Sequence, residues 1–104
     1  MHNFMTHEQT VAWIFLSTAL ATRIEPTDIR GISMIADGIN HAVPTQKELQ
    51  TSFSWLTQKG LVKKNGKKYC LTIEGEMEFE NASKSTVILF EIWQNLENKI
   101  KNYV

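Results

Sequence analysis

A chain of 104 residues is the length of one small domain, able to bury a core without help from metals or disulfides. Its single cysteine, Cys70, excludes an intramolecular disulfide and a multi-cysteine zinc site, and it reads as a small strand residue in a reducing compartment. Eleven basic and eleven acidic residues leave no net charge, which at first argues against a nucleic-acid partner. The charges are segregated, however: residues 1 to 44 hold two basic and four acidic groups, residues 45 to 68 six and one, and residues 69 to 104 three and six. Local field, not total charge, governs the encounter with a polyanion. A solvated hairpin tip that simply collects lysines as edge guards is the bland alternative.

The opening residues MHNFMTHEQT lack a charged segment followed by an apolar core, and the longest apolar run, Val11 to Leu16, is far too short for a bilayer. The expectation is a soluble cytoplasmic protein with no membrane contact. Thr6 with Gln9 three residues on makes a capping box, which predicts a helix running to about Thr22. Val11, Ile14, Phe15 and Thr18 form one stripe of it, and Trp13, Leu16 and Leu20 another on the far side. A helix apolar on all sides is buried on all sides, so it needs a second partner beyond the next two helices.

Arg23 to Pro26 reads as a connector that includes a short first strand, and Pro26-Thr27-Asp28 opens the next helix with an acid near its positive end. Ile29, Ile32, Ala36, Ile39 and Asn40 share one side of that helix, while Gly31 and Gly38 make it depend on tertiary packing. His41, in the following turn beside Asp37, invites a metal or acid–base reading, but no third ligand or nucleophile accompanies it. It reads as a turn histidine.

A second capping box, Thr45 with Glu48, predicts a helix from Thr45 to Lys59, with Pro44 just outside the cap for Leu49 to fold back on. Leu49, Phe53 and Leu56 share the core stripe; Lys47, Gln50, Thr51, Ser54 and Gln58 share the opposite one, which contains no acid. Trp55 lies off the core stripe, either as an exposed anchor or packed under the next hairpin. Gly60 is placed to end the helix in a left-handed conformation. Leu61 to Lys64 and Lys67 to Leu71 then read as two strands about an Asn65-Gly66 turn, with Tyr69 and Leu71 packed inward and Lys63, Lys64, Lys67 and Lys68 crowding the tip.

After Thr72 the chain is acidic and helical, with Glu74, Glu76, Glu78 and Glu80 where the helix dipole favours them. Asn81 to Thr86 is a run of weak helix formers that bends or interrupts the helix, and Asn81-Ala82-Ser83 is a glycosylation sequon without meaning in a cytoplasm. A last helix is predicted from Thr86 to Tyr103. Thr86, Leu89, Trp93, Leu96, Ile100 and Tyr103 recur at spacings of three and four, the pattern of a coiled-coil seam. Two outcomes stand open: Leu89, Trp93, Leu96 and Ile100 meet a symmetry mate in a homodimer, or the last helix folds back on its own first helix. The length of the seam favours the dimer.

The order of helix, Gly60-Leu61-Val62, lysine-rich hairpin and then Tyr69-Cys70-Leu71-Thr72-Ile73-Glu74-Gly75 resembles the winged helix-turn-helix family, particularly the bacterial MarR-like and PadR-like regulators. In those families a Y-x-LT-x-EG run closes the wing and caps the next helix, as Thr72 is placed to do here. The general likeness covers residues 6 to 80, and its specific part residues 44 to 75. It implies a mainly α fold with a small β-hairpin: one domain over residues 1 to 104, with a helix-turn-helix core and wing in 6 to 80 and a C-terminal dimerisation helix in 81 to 104.

The functional expectation is a transcriptional regulator that binds double-stranded DNA. Gln50, Thr51 and Ser54 would reach base edges in the major groove, Lys47 and Gln58 edges or phosphates, and Lys63, Lys64, Lys67 and Lys68 the flanking backbone. The alternative is a winged-helix protein-interaction module without DNA binding, which the absence of arginine from the stripe favours. No glycine-rich phosphate loop, metal cluster or nucleophile-and-base spacing points to an enzyme or a cofactor. The resemblance also implies a small-molecule effector pocket between the first and last helices, for which the sequence supplies no ligand-specific residues.

Overall fold

The computed structural model describes residues 5–103, and its first helix starts where the capping box requires. Thr6 accepts from the Gln9 amide at 3.1 Å and Gln9 Oε1 accepts from the Thr6 amide at 2.8 Å, opening α1 (His7–Ala21). Nine consecutive residues, Val11 to Ala19, are buried. At about 3.6 residues per turn that run covers every direction round the axis. Ser17 and Thr18, polar and fully enclosed, donate to the carbonyls of Trp13 and Ile14, each at 2.7 Å, so neither hydroxyl is stranded.

Asp28 closes the two-residue strand β1 (Thr27–Asp28) and caps α2 (Ile29–Asn40), its side chain accepting from the Gly31 amide at 3.1 Å. His41 ends α2 in the left-handed region at φ 56°, its amide bonded to the Asp37 carbonyl. There follow α3 (Gln46–Gln58), β2 (Val62–Asn65), β3 (Lys68–Leu71), α4 (Ile73–Ser83) and α5 (Leu89–Lys101). The three strands form one antiparallel sheet in the order β1-β3-β2, so the protein is mainly helical with a small sheet. No helix among the described residues is long and apolar enough to cross a membrane.

The second partner that α1 needs is α5 of the same chain. Ile92, Leu96 and Ile100 are buried in the common core. Trp93 lies 6.3 Å from Trp13, nearly parallel, and its indole N–H donates to the Gln9 carbonyl at 2.9 Å. The Trp13 indole in turn donates to the Ala36 carbonyl at 3.0 Å, tying α1 to α2. Of the residues expected to meet a symmetry mate, Leu96 and Ile100 are packed in this chain's own core, at 1% and 6% exposure. The apolar repeat could not distinguish the two, because an intramolecular and an intermolecular neighbour ask for the same stripe. Trp93 is half-buried, and Leu89 keeps 40% exposure. The last helix also starts later than predicted. Thr86 lies before it, accepting from the Ile88 amide and donating to Glu91.

The antiparallel α4–α5 pair is laced along its length: Tyr103 donates to Glu74 at 2.7 Å, Lys99 approaches Glu78 at 3.6 Å and Asn95 donates to the Ala82 carbonyl at 2.9 Å. Trp55 is half-buried and packs edge-on to Tyr103, with centroids 5.9 Å apart.

The start of α4 is bolted to the end of α3. Thr72 caps α4 through the Gly75 amide, donates its hydroxyl to the Gly60 carbonyl at 2.6 Å, and bonds its amide to the Leu61 carbonyl at 3.1 Å. Gly75 sits so close that a Cβ there would run into that same Leu61 carbonyl. Gly75→Ala should therefore lower Tm by about 4 °C or more, an overpacking cost of at least about 1 kcal/mol. Gly38→Ala, whose Cβ would meet nothing within 4 Å on an exposed turn of α2, should raise it by removing the helical glycine penalty. Thermal melts of the two variants check the contrast.

Burial, then the hydrogen bond to Glu74 and the Glu74 and Glu78 charges, push the Tyr103 hydroxyl up to about 12 from its ordinary 10.0. The folded chain then holds a proton that the unfolded chain releases near pH 10, so this contribution to stability is complete below pH 10 and is lost as pH rises to about 12. Melts across that window should show the difference between the parent and Tyr103→Phe shrinking with rising pH.

Candidate nucleic-acid interface

The outward face of α3 is held at both ends. At its start Thr45 accepts from the Glu48 amide at 3.0 Å and Glu48 accepts from the Thr45 amide at 2.9 Å. At its end Gly60 takes φ 76°, the Gly60 amide bonds to the Thr57 carbonyl and the Leu61 amide to the Leu56 carbonyl. These two bonds make a Schellman motif, which only a residue at ease with positive φ completes cheaply. Leu49, Ser52, Phe53 and Leu56 are buried beneath. The Ser52 hydroxyl has no partner among the described residues.

Lys47, Gln50, Thr51, Ser54 and Gln58 are all exposed, and none of these side chains hydrogen-bonds to another described residue. Over 13 residues α3 presents a polar ridge about 20 Å long with no acidic side chain on it. Thr57, at its edge, turns its hydroxyl back to the Phe53 carbonyl at 2.7 Å.

The hairpin is set against α3 by one aromatic pair. Phe53 and Tyr69 stack with centroids 4.0 Å apart and planes 17° from parallel. The strands pair Val62 with Leu71, Lys63 with Cys70, Lys64 with Tyr69 and Asn65 with Lys68. That register places the turn at Gly66-Lys67, one residue later than the expected Asn65-Gly66. Gly66 alone takes positive φ there, at 66°, so asparagine extends the strand while glycine occupies the first central position. The reason is cross-strand: ending the strands one residue earlier would move Tyr69 out of register with Lys64.

Register also sorts the four lysines, since directly paired residues share a face and faces alternate along a strand. Lys64 shares the α3-facing side with Tyr69, and its ammonium lies 5.6 Å from the centre of the tyrosine ring. Lys67 stands at the turn. Lys63 and Lys68 lie on the opposite face, where Lys68 pairs with Asp28 of β1. All four are exposed, but only Lys64 lines the cleft with α3.

Between helix and hairpin lies a cleft of about 240 Å³ with Leu49, Phe53 and Tyr69 as its buried lining and Gln50, Ser54 and Lys64 as exposed lining. Gln46 and Ile29 also line it, and sequence reasoning did not include them. Ile29 falls on the core stripe of α2, yet it is the first residue of that helix and remains 39% exposed. Its terminal position is the only signal that could have placed it at a rim.

Among the described residues no group of three or more His, Cys, Asp or Glu side chains could hold a metal ion. His41 serves as the α2 cap, and Cys70 is a half-buried free thiol. No protein-family model, no curated protein and no solved structure matches this chain.

Proposed function

We propose that the chain is a winged helix-turn-helix regulator that reads double-stranded DNA with α3 and grips the backbone with the hairpin. The observation that carries this reading is the outer ridge of α3: five exposed side chains with free donors and acceptors, no acid, with Lys64 beside them and Lys67 exposed at the hairpin turn. The element order supports it, with β1 as third strand beside the hairpin and α2–α3 as the helix pair. A ridge of this kind fits the major groove, where Gln50 can bond adenine and Thr51 can meet a thymine methyl.

A second reading, a protein-interaction module, is favoured by one observation. The ridge has a single cation and no arginine, the residue that most often makes specific base contacts.

Duplex binding titrated against salt separates the two. Each neutralised phosphate contributes about −0.9 to the log–log slope. Lys64→Ala with Lys67→Ala should weaken binding to all sequences alike and flatten the slope by up to about two units. Lys63→Ala with Lys68→Ala, on the far face, should do less. Gln50→Ala or Ser54→Ala should leave the slope and relax sequence preference, by about 1–3 kcal/mol where a bidentate contact is lost. No detectable duplex binding by micromolar protein at about 50 mM salt transfers the reading to the interaction module.

A homodimer belongs to the same proposal, since two copies of α3 would meet two half-sites. With Leu96 and Ile100 enclosed, the exposed apolar run Val87-Ile88-Leu89-Phe90, at 92%, 55%, 40% and 65% exposure, is the surface by which a second copy would be met. Light scattering should give twice the 11.9 kDa chain mass, falling to the chain mass on Val87→Asp with Leu89→Asp.

A further inference from the structure

A second and larger cleft, of about 630 Å³, opens where the N-terminal half of α1, the α2–α3 turn, the first turn of α3 and α5 come together. Its volume falls in the range of small-molecule sites. Trp93 forms its aromatic wall, stacked on Trp13 and met edge-on by Phe90 at 6.4 Å and 72°. Both indole N–H groups are already engaged, with the Gln9 and Ala36 carbonyls. Trp93 therefore offers an occupant ring surface and no donor, with the enclosed Trp13 behind it.

The carboxylates lining this cleft are Glu48 and Glu97; His41 also lines it, and among the described residues no lysine or arginine does. Glu48 uses one oxygen in its capping bond to the Thr45 amide, and the other accepts no hydrogen bond from the described residues. Glu97 pairs with Lys101 at 3.2 Å, an i,i+4 contact in which the lysine is half exposed, so an incoming cation can displace it. Aromatic faces beside two carboxylates suit an apolar molecule with positive charge, because the ring quadrupole and the carboxylates attract the same sign. An anion would face repulsion from both.

We propose that this cleft is a binding site for a lipophilic organic cation, with Trp93 and Phe90 against its apolar body and Glu48 and Glu97 as counter-charges. The site also bears on α3, since Thr45 and Glu48 are the two halves of the capping box that starts that helix. An occupant that recruits Glu48 competes with the cap and so changes how α3 is presented. This coupling, unlike the binding itself, rests on the DNA-binding reading.

Calorimetric titration with tetraphenylphosphonium, set against neutral triphenylphosphine oxide and anionic tetraphenylborate, tests the site without DNA. Saturable binding of the cation, tighter than either control, is expected. Glu48→Gln with Glu97→Gln should weaken it about tenfold. Glutamine at position 48 still completes a capping box, so this variant keeps the fold. Phe90→Ala, at a side chain 65% exposed, should weaken the cation and spare the melting temperature. Equal binding of the three probes, preference for the anion, no binding of the cation, or indifference to the double glutamine variant would overturn the proposal. Repeating the duplex titration with the cation present should change DNA affinity. Cation binding by a protein that holds no duplex leaves the site standing and removes the DNA reading alone.

Discussion

The constraint on which everything else depends is the burial of α1 on all sides. A helix with Trp13, Ile14, Phe15 and Leu16 in succession has no face that water can keep, so it must be enclosed completely. The helices α2 and α3 supply part of the enclosure and α5 the rest, with β3 and α4 closing in. Each fully buried side chain of this size is worth about 1.5–3 kcal/mol, which outweighs the roughly 1 kcal/mol of helix propensity lost at each of Gly31 and Gly38. Weak local structure is tolerated in α2 because the core demands that helix there.

A second constraint sets the candidate interface. The position of the hairpin relative to α3 is fixed by the short segment Gly60-Leu61, which ends α3 in a Schellman motif and also receives both hydrogen bonds that Thr72 sends back. One end of the hairpin is thus held by the helix before it and the other by the helix after it. The Phe53–Tyr69 stack then sets the tilt, leaving Lys64 on the side where α3 shows its polar ridge. Gly75 serves the same junction, absent side chain against Leu61 carbonyl.

The two clefts lie on opposite flanks of the start of α3. One is lined by Leu49, Gln50 and Ser54, the other by Thr45 and Glu48. A perturbation on either flank acts on a single rigid turn held by reciprocal capping bonds. That is the physical basis for coupling between the proposed ligand and the proposed DNA face.

What the sequence by itself determined were features written in short-range chemistry. Both capping boxes, the Asp28 and Thr72 caps, the glycine stop at Gly60 and the inward alternation of Tyr69 each depend on residues a few positions apart, and the structure has all of them. The exposure of Lys47, Gln50, Thr51, Ser54 and Gln58 came from helical periodicity alone. Only the tertiary structure decided which surface α5 covers, because a seam of Leu89, Trp93, Leu96 and Ile100 is equally complementary to its own α1 and to another copy, and that structure alone added Ile92 to the core. It alone decided the turn at Gly66-Lys67, since hairpin register is set by pairing across strands. It also decided which lysines stand with α3, because strand alternation has meaning only once a partner fixes the phase. The Trp13–Trp93–Phe90 cleft, with Glu48 and Glu97 at its edge, joins residues from 13 to 97 in the chain. Spacing that long leaves no local pattern to read.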